Sequence, residues 1–147
     1  MPSEHIPVEL RQIVVNRARG CCEYCRSQSR FAPEPFSIDH VSPRSAGGET
    51  IESNLALSCQ GCNSYKAVRL GARDPRTGLP AALFNPREQK WGDHFTWEDD
   101  YTAIRGLTPE GRATVEALRL NREGLVNLRW ALYQVGEHPP SEAGIVH

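Results

Sequence analysis

The sequence predicts an α+β fold: two short strands and a helix held between paired cysteines, with one helix before them and a helical extension after them. Three observations predict it. Two Cys-x-x-Cys pairs, Cys22 with Cys25 and Cys59 with Cys62, bracket an insert of 33 residues (26 to 58). Around the turns of that insert, Phe36-Ser37-Ile38 and Leu55-Ala56-Leu57 read as short strands. Outside it, apolar residues recur at helical spacing: Leu10, Ile13 and Val14 near the start, then Val115, Leu118, Leu125, Leu128 and Leu132.

Each element has a local cause. Pro7 suits the first position of the opening helix and Gly20 its end. The Cys22–Cys25 knuckle follows, then a loop with Pro33 and Pro35. The first strand leads into Asp39-His40-Val41, and Ser42 to Ser53, with Pro43 and Gly47-Gly48, reads as turns. After the second strand, the Cys59–Cys62 knuckle opens a helix expected to reach about Leu70. Gly71 to Pro80 reads as a loop, with Pro75, Gly78 and Pro80 as breakers, and Phe95 to Ile104 fits a hairpin. Thr108-Pro109-Glu110 is a strong helix start: a capping hydroxyl, a proline at the first position and an acid in the first turn. The last residues, from Pro139-Pro140, are expected to be loose.

Bulk properties exclude several classes. The 147 residues show no leader-like N-terminus and no apolar run long enough for a membrane span. A soluble, cytoplasmic protein is expected. Five cysteines, four of them in x-x pairs, point to metal binding in a reducing compartment and away from a disulfide framework. Net charge is −1, which by itself does not mark a nucleic-acid partner. Its distribution is uneven: up to Lys90 there are 12 basic and 9 acidic residues, and from Trp91 onward 5 and 9. The first part is the better face for a polyanion.

Four thiolates suit a tetrahedral Zn2+, and a closed four-cysteine site leaves no open position for substrate. Zinc on Cys22, Cys25, Cys59 and Cys62 is therefore expected to be structural. Such binding supplies about 10–16 kcal/mol of apparent free energy, against about 5–15 kcal/mol for a whole domain. Cys21 replaces Cys22 only with a longer gap and is left outside the cage.

Asp39, His40, Asn54 and Asn63 lie between or just after the knuckles. Hydrolysing a phosphodiester requires an attacking water, a group to take its proton and a cation for the developing charge. A histidine titrating near pH 6.5 suits the proton transfer, which makes His40 the candidate base. Asp39 and the Asn63 amide offer hard oxygens for Mg2+, which needs only one or two protein ligands. Adjacent strand residues face opposite ways, so the strand must bend or end for Asp39 and His40 to share a site. Asn63 and Lys66 share a helical face, and Lys66, with Arg44, is the expected phosphate contact; Arg69 reads as solvated. His5, His94, His138 and His147 read as packing or surface residues.

The order Cys-x-x-Cys, Ile38-Asp39-His40-Val41-x-Pro43, Gly47-Gly48, Asn54-Leu55 and Cys59-x-x-Cys62-Asn63-x-x-Lys66 resembles the zinc-containing HNH endonucleases of the ββα-metal fold. The resemblance spans about residues 20 to 70. It implies His40 as general base, Asp39 and Asn63 as ligands of a catalytic Mg2+ or Mn2+, and Asn54 as a brace for the loop between the strands. Asn63 stands where many members have histidine, which makes this an H-N-N variant and favours Mg2+ or Mn2+ over softer metals. The segment from Leu83-Phe84-Asn85-Pro86-Arg87 through Trp91 and His94-Phe95 to Gly111-Arg112-Ala113 also resembles the tail of small stand-alone HNH proteins, implying a packing extension.

The expected organisation is a nuclease core over residues 1–72 and an extension over residues 73–147, packed on or beside it. The expected activity is divalent-metal-dependent cleavage of DNA, with RNA open as a substrate. The rival reading is a zinc-stabilised nucleic-acid-binding module without cleavage. A third is an interaction domain working through the acidic helical tail.

Overall fold

The computed structural model describes residues 6–140. The readings of His5, of His147 and of the tail beyond position 140 fall outside the described residues. The architecture is α+β, with three two-stranded antiparallel sheets and five helices among the described residues.

Helix α1, Val8–Ala18, begins after Pro7, which sits at the cap and not inside the first turn. It ends through Arg19 and Gly20, both at positive φ (55° and 73°), whose amides close back onto Asn16 and Val15. Val14 is the residue it buries completely, while Ile13 is 40% exposed. Strand β1, Ser37–His40, pairs antiparallel with β2, Leu55–Ser58, in a register that sets Asp39 opposite Ala56 and His40 opposite Leu55. Helix α2, Gln60–Lys66, follows directly, so the order is strand, strand, helix.

The helix α2 stops at Lys66 and does not reach Leu70. Ala67 takes φ 48°, turning the chain out of the helix. Residues expected to form a loop then form a second hairpin: β3, Gly71–Arg73, pairs with β4, Pro80–Ala82. Its strands carry no β-branched or aromatic residue, so they lack the composition by which strands are recognised. Tertiary anchoring supplies what propensity does not. The Asp74 carboxylate accepts two bonds from the Arg112 guanidinium (3.0 and 2.9 Å), one from the Arg76 amide (2.9 Å) and one from the Thr77 hydroxyl (3.2 Å).

Short helix α3, Trp91–His94, runs into β5, Phe95–Trp97, which pairs with β6, Ile104–Gly106, as the expected hairpin. Helix α4, Pro109–Ala117, starts as its sequence dictates: the Thr108 hydroxyl accepts from the Gly111 amide at 3.0 Å. Helix α5, Glu123–Gln134, is the last described helix and buries Leu125 and Arg129.

One apolar cluster runs through these elements. Val14, Tyr24, Leu55 and Leu57 join Phe84, Trp91, Phe95 and Leu118 from later in the chain. The Trp91 indole donates to the Tyr24 carbonyl at 2.9 Å and its ring lies 5.2 Å from Phe95. Aromatic residues from beyond position 80 thus close over the first knuckle. Among the described residues, no helix is long and apolar enough to cross a membrane.

Candidate metal centre and catalytic site

The first knuckle is a tight turn between α1 and the loop leading to β1; the second caps α2. The Sγ atoms of Cys22, Cys25, Cys59 and Cys62 all lie within 4.8 Å of one another, and those of Cys25 and Cys59 are 3.6 Å apart. A tetrahedral ion with metal–sulfur bonds of about 2.3 Å places its sulfurs roughly 3.8 Å apart. The cage fits such an ion. All four cysteines are buried. In each pair the later amide donates to the earlier sulfur, Cys25 N to Cys22 at 3.5 Å and Cys62 N to Cys59 at 3.4 Å. Burial pushes the Cys22 thiol up, whereas hydrogen bonds from Cys22, Cys25 and Cys62 hold Cys59 far below the ordinary thiol range. Cys21 lies outside the cage, its thiol 3.7 Å from the Arg19 carbonyl.

A guanidinium flanks the sulfurs. Arg122, on the turn before α5, donates to Cys59 Sγ at 3.3 Å and approaches Cys62 Sγ at 3.7 and 3.8 Å. Gly61 makes room for it, since a Cβ at that position would lie 2.4 Å from Arg122 Nη2. Burial alone would lower the Arg122 pKa, but the sulfurs of Cys62, Cys25 and Cys59 carry it above its ordinary value. Arg129 adds a bond to the Cys25 carbonyl at 3.4 Å.

Asp39 and His40 occupy the last two positions of β1, and strand alternation separates their surroundings. Asp39 is 5% exposed. Its Oδ2 accepts from the Tyr24 hydroxyl at 2.8 Å, and both carboxylate oxygens face the Lys66 ammonium, at 3.4 Å (Oδ1) and 3.2 Å (Oδ2). The same ammonium donates to the carbonyls of His40 (3.3 Å) and Val41 (3.1 Å). Lys66 is 2% exposed, so the side chain expected to meet a phosphate faces inward onto Asp39. Burial raises the Asp39 pKa, and the Lys66 charge and the Tyr24 bond oppose that shift.

His40 is half-buried, with Nε2 2.9 Å from the Thr50 hydroxyl. The loop between the strands is fixed by Asn54, whose Oδ1 accepts from the Ser42 amide (2.8 Å). Its Nδ2 donates to the carbonyls of Ser42 (3.0 Å) and Glu49 (2.9 Å). Gly48 is required here because a Cβ would stand 1.7 Å from the Ser42 oxygen. Arg44, at the exposed start of a 3-10 turn, reaches the Thr50 hydroxyl at 3.3 Å. Asn63 is half-buried on α2, one turn before Lys66, and its side chain makes no hydrogen bond among the described residues.

Beside Lys66 lies a groove of about 370 Å³ whose lining includes Val41, Ser42, Lys66, Leu83, Asn85 and Gln89. Three residues of this region carried no usable sequence signal. Tyr24 and Thr50 are ordinary residues of a knuckle and a turn, and Arg122 follows Cys62 by 60 positions.

Residues 22–69, 48 of the 147, match the family model of the HNH endonucleases. No curated protein and no solved structure matches the chain.

Proposed function

We propose that the chain is a divalent-metal-dependent endonuclease that hydrolyses DNA phosphodiester bonds, with its chemistry at the end of β1. The observation that carries this reading is the buried Asp39 carboxylate. It stands in a pocket where its own two oxygens and the carbonyls of His40 and Val41 surround a single positive charge, that of Lys66, which follows Asn63 by one turn along α2. Buried oxygens of this kind form a hard donor set that fits a divalent cation as well as an ammonium. Asp39 and Asn63 would hold Mg2+ or Mn2+, which when bound stabilises charge on the phosphate and the leaving oxygen. A zinc ion in the four-cysteine cage would keep the knuckles, and so β1 and α2, in place.

The chain's own groups supply the rest. Nε2 of His40 pairs with the Thr50 hydroxyl at 2.9 Å; in the tautomer that donates from Nε2, Nδ1 is the nitrogen that would take a proton from water. Asn54 holds Ser42 and Glu49, so the loop carrying Thr50 keeps the ring oriented. Lys66 opposes the upward shift that burial imposes on Asp39, and a divalent ion at Asp39 would compete with the ammonium.

Supercoiled plasmid, incubated with purified protein with and without Mg2+, tests this reading. Replacing His40 with Ala is expected to slow cleavage about 10²- to 10⁴-fold and to leave zinc content unchanged. Wild-type rates from His40→Ala overturn the mechanism. Retardation of DNA with no magnesium-dependent product would favour the zinc-stabilised binding module instead.

A further inference from the structure

The chain is −1 overall, but acids are scarce around one hairpin. Between Glu52 and Glu88 the only acid is Asp74, against the bases Lys66, Arg69, Arg73, Arg76 and Arg87. Three of these five bases, Arg69, Arg73 and Arg76, are exposed. The other two are engaged internally, Lys66 with Asp39 and Arg87 with Glu23. The single acid is buried and bound by the Arg112 guanidinium through both carboxylate oxygens. The exposed charges of residues 66–82 are therefore all basic, set among the exposed apolar side chains of Val68, Leu70 and Leu79.

The hairpin's shape matches that charge. Ala72 and Ala81, opposite each other, are its half-buried pair, whereas Gly71, Arg73, Pro80 and Ala82 are exposed. That outer face carries only small side chains apart from Arg73 and so is flat. Asp74 pins the turn to α4, against which both strands also pack, so the hairpin presents one fixed outer face. Its root opens on the groove that follows β1, whose lining joins Val41, Ser42 and Lys66 to Arg69, Leu70 and Ala82, with Glu88 and Glu110 also on its rim. A two-stranded ribbon is one of the shapes that enter the major groove of duplex DNA. Cations beside a phosphate-cleaving site are placed to hold flanking phosphates.

We propose that the β3–β4 hairpin is a duplex-DNA-binding arm in which Arg69, Arg73 and Arg76 neutralise backbone phosphates beside the scissile bond. The arm rests on the endonuclease reading for its substrate, but binding and cleavage are measured separately.

The test uses the full-length, zinc-loaded His40→Ala protein without added Mg2+ and a fluorescent 30-base-pair duplex of arbitrary sequence, followed by anisotropy across a salt series. Each neutralised phosphate contributes about 0.9 to the slope of log K against log salt for duplex DNA. Adding Arg69→Gln, Arg73→Gln and Arg76→Gln should flatten that slope by about 2.7. Raising salt from about 50 to 200 mM should then cost the parent about 40-fold more affinity than the variant. Because Arg73 also donates to the Gly78 carbonyl inside the turn, the pair Arg69→Gln and Arg76→Gln is measured as well and should remove about 1.8. An unchanged slope, an equal loss from Arg11→Gln on the exposed face of α1, or no duplex binding by the parent overturns the arm. If the wild type cleaves nothing with Mg2+ while the hairpin-dependent slope persists, the endonuclease reading fails and the arm stands.

Discussion

The Arg122 guanidinium donates to the Cys59 sulfur across 3.3 Å, although 63 positions separate the two residues in the chain. Four thiolates around Zn2+ carry a net charge of −2, and a buried, uncompensated charge is costly. Arg122 places a cation against that cage from the turn preceding α5, so the C-terminal helices and the metal centre stabilise each other.

Replacing Arg122 with Gln should therefore loosen the metal without deleting a ligand. Outer partners of metal ligands are typically worth about 10- to 100-fold in affinity. Zinc transfer to a chromophoric chelator should accelerate accordingly, with Arg122→Lys retaining part of the effect. Gly61→Ala, which directs a methyl at the guanidinium, should shift the rate the same way. Equal transfer rates for wild type and Arg122→Gln would remove Arg122 from the cage's electrostatics.

The second prediction concerns Asp39 and Lys66, which are 5% and 2% exposed and face each other at 3.2 Å. Removing one member of a buried ion pair leaves the other charge without compensation, at a cost of about 3–5 kcal/mol. Lys66→Met should lose about that much stability in urea denaturation of the zinc-loaded protein. The double variant Lys66→Met with Asp39→Asn should recover a large part of it. Additive losses in the double variant would show that the two side chains do not act as a pair.

Thr50 gives the third. Its hydroxyl fixes the His40 ring through Nε2, and a hydrogen bond of this type is worth about 0.5–1.5 kcal/mol. Thr50→Val keeps the shape and loses the bond, so cleavage should slow by about 2- to 10-fold, far less than in His40→Ala. Single-turnover plasmid nicking at saturating protein measures this, and an undiminished rate excludes Thr50 as the orienting group.

How much of this was legible in the sequence follows from the range of each interaction. The knuckles, the two strands and Thr108 at the head of α4 are local: spacing and capping chemistry decide them, and the structure has them where the chain predicts. The hairpin of Gly71–Arg73 with Pro80–Ala82 has the sequence of a loop, because its pairing depends on Asp74 meeting Arg112, a contact across 38 positions that leaves no local pattern. The inward turn of Lys66 was equally hidden. Helical spacing sets it on a face with Asn63, but only the folded β1 brings Asp39 and two carbonyls to its ammonium. Arg129 marks the same limit. It interrupts the leucine spacing of α5, yet it is buried and donates to the Leu120 carbonyl at 2.7 Å.

The last prediction is a pH dependence of stability at His138, one of the histidines read as packing residues. Its Nε2 is 2.8 Å from the Tyr101 carbonyl, and its ring meets Trp97 edge to face at 4.6 Å. Burial lowers its pKa, the Tyr101 bond opposes that, and the nearby Arg129 charge lowers it further. In the unfolded chain the ring titrates near pH 6.5. Well above that pH both states are neutral at this position and the ring contributes no slope. As the pH falls through about 6.5 the unfolded chain takes up a proton that the folded protein resists, so stability declines until the folded ring is protonated too. Denaturation of wild type and His138→Gln at pH 7.5 and 5.5 isolates the effect, because every other titrating group is common to both. The wild type should lose more stability on acidification than the variant, and equal losses would mean that His138 titrates alike in the folded and unfolded chain.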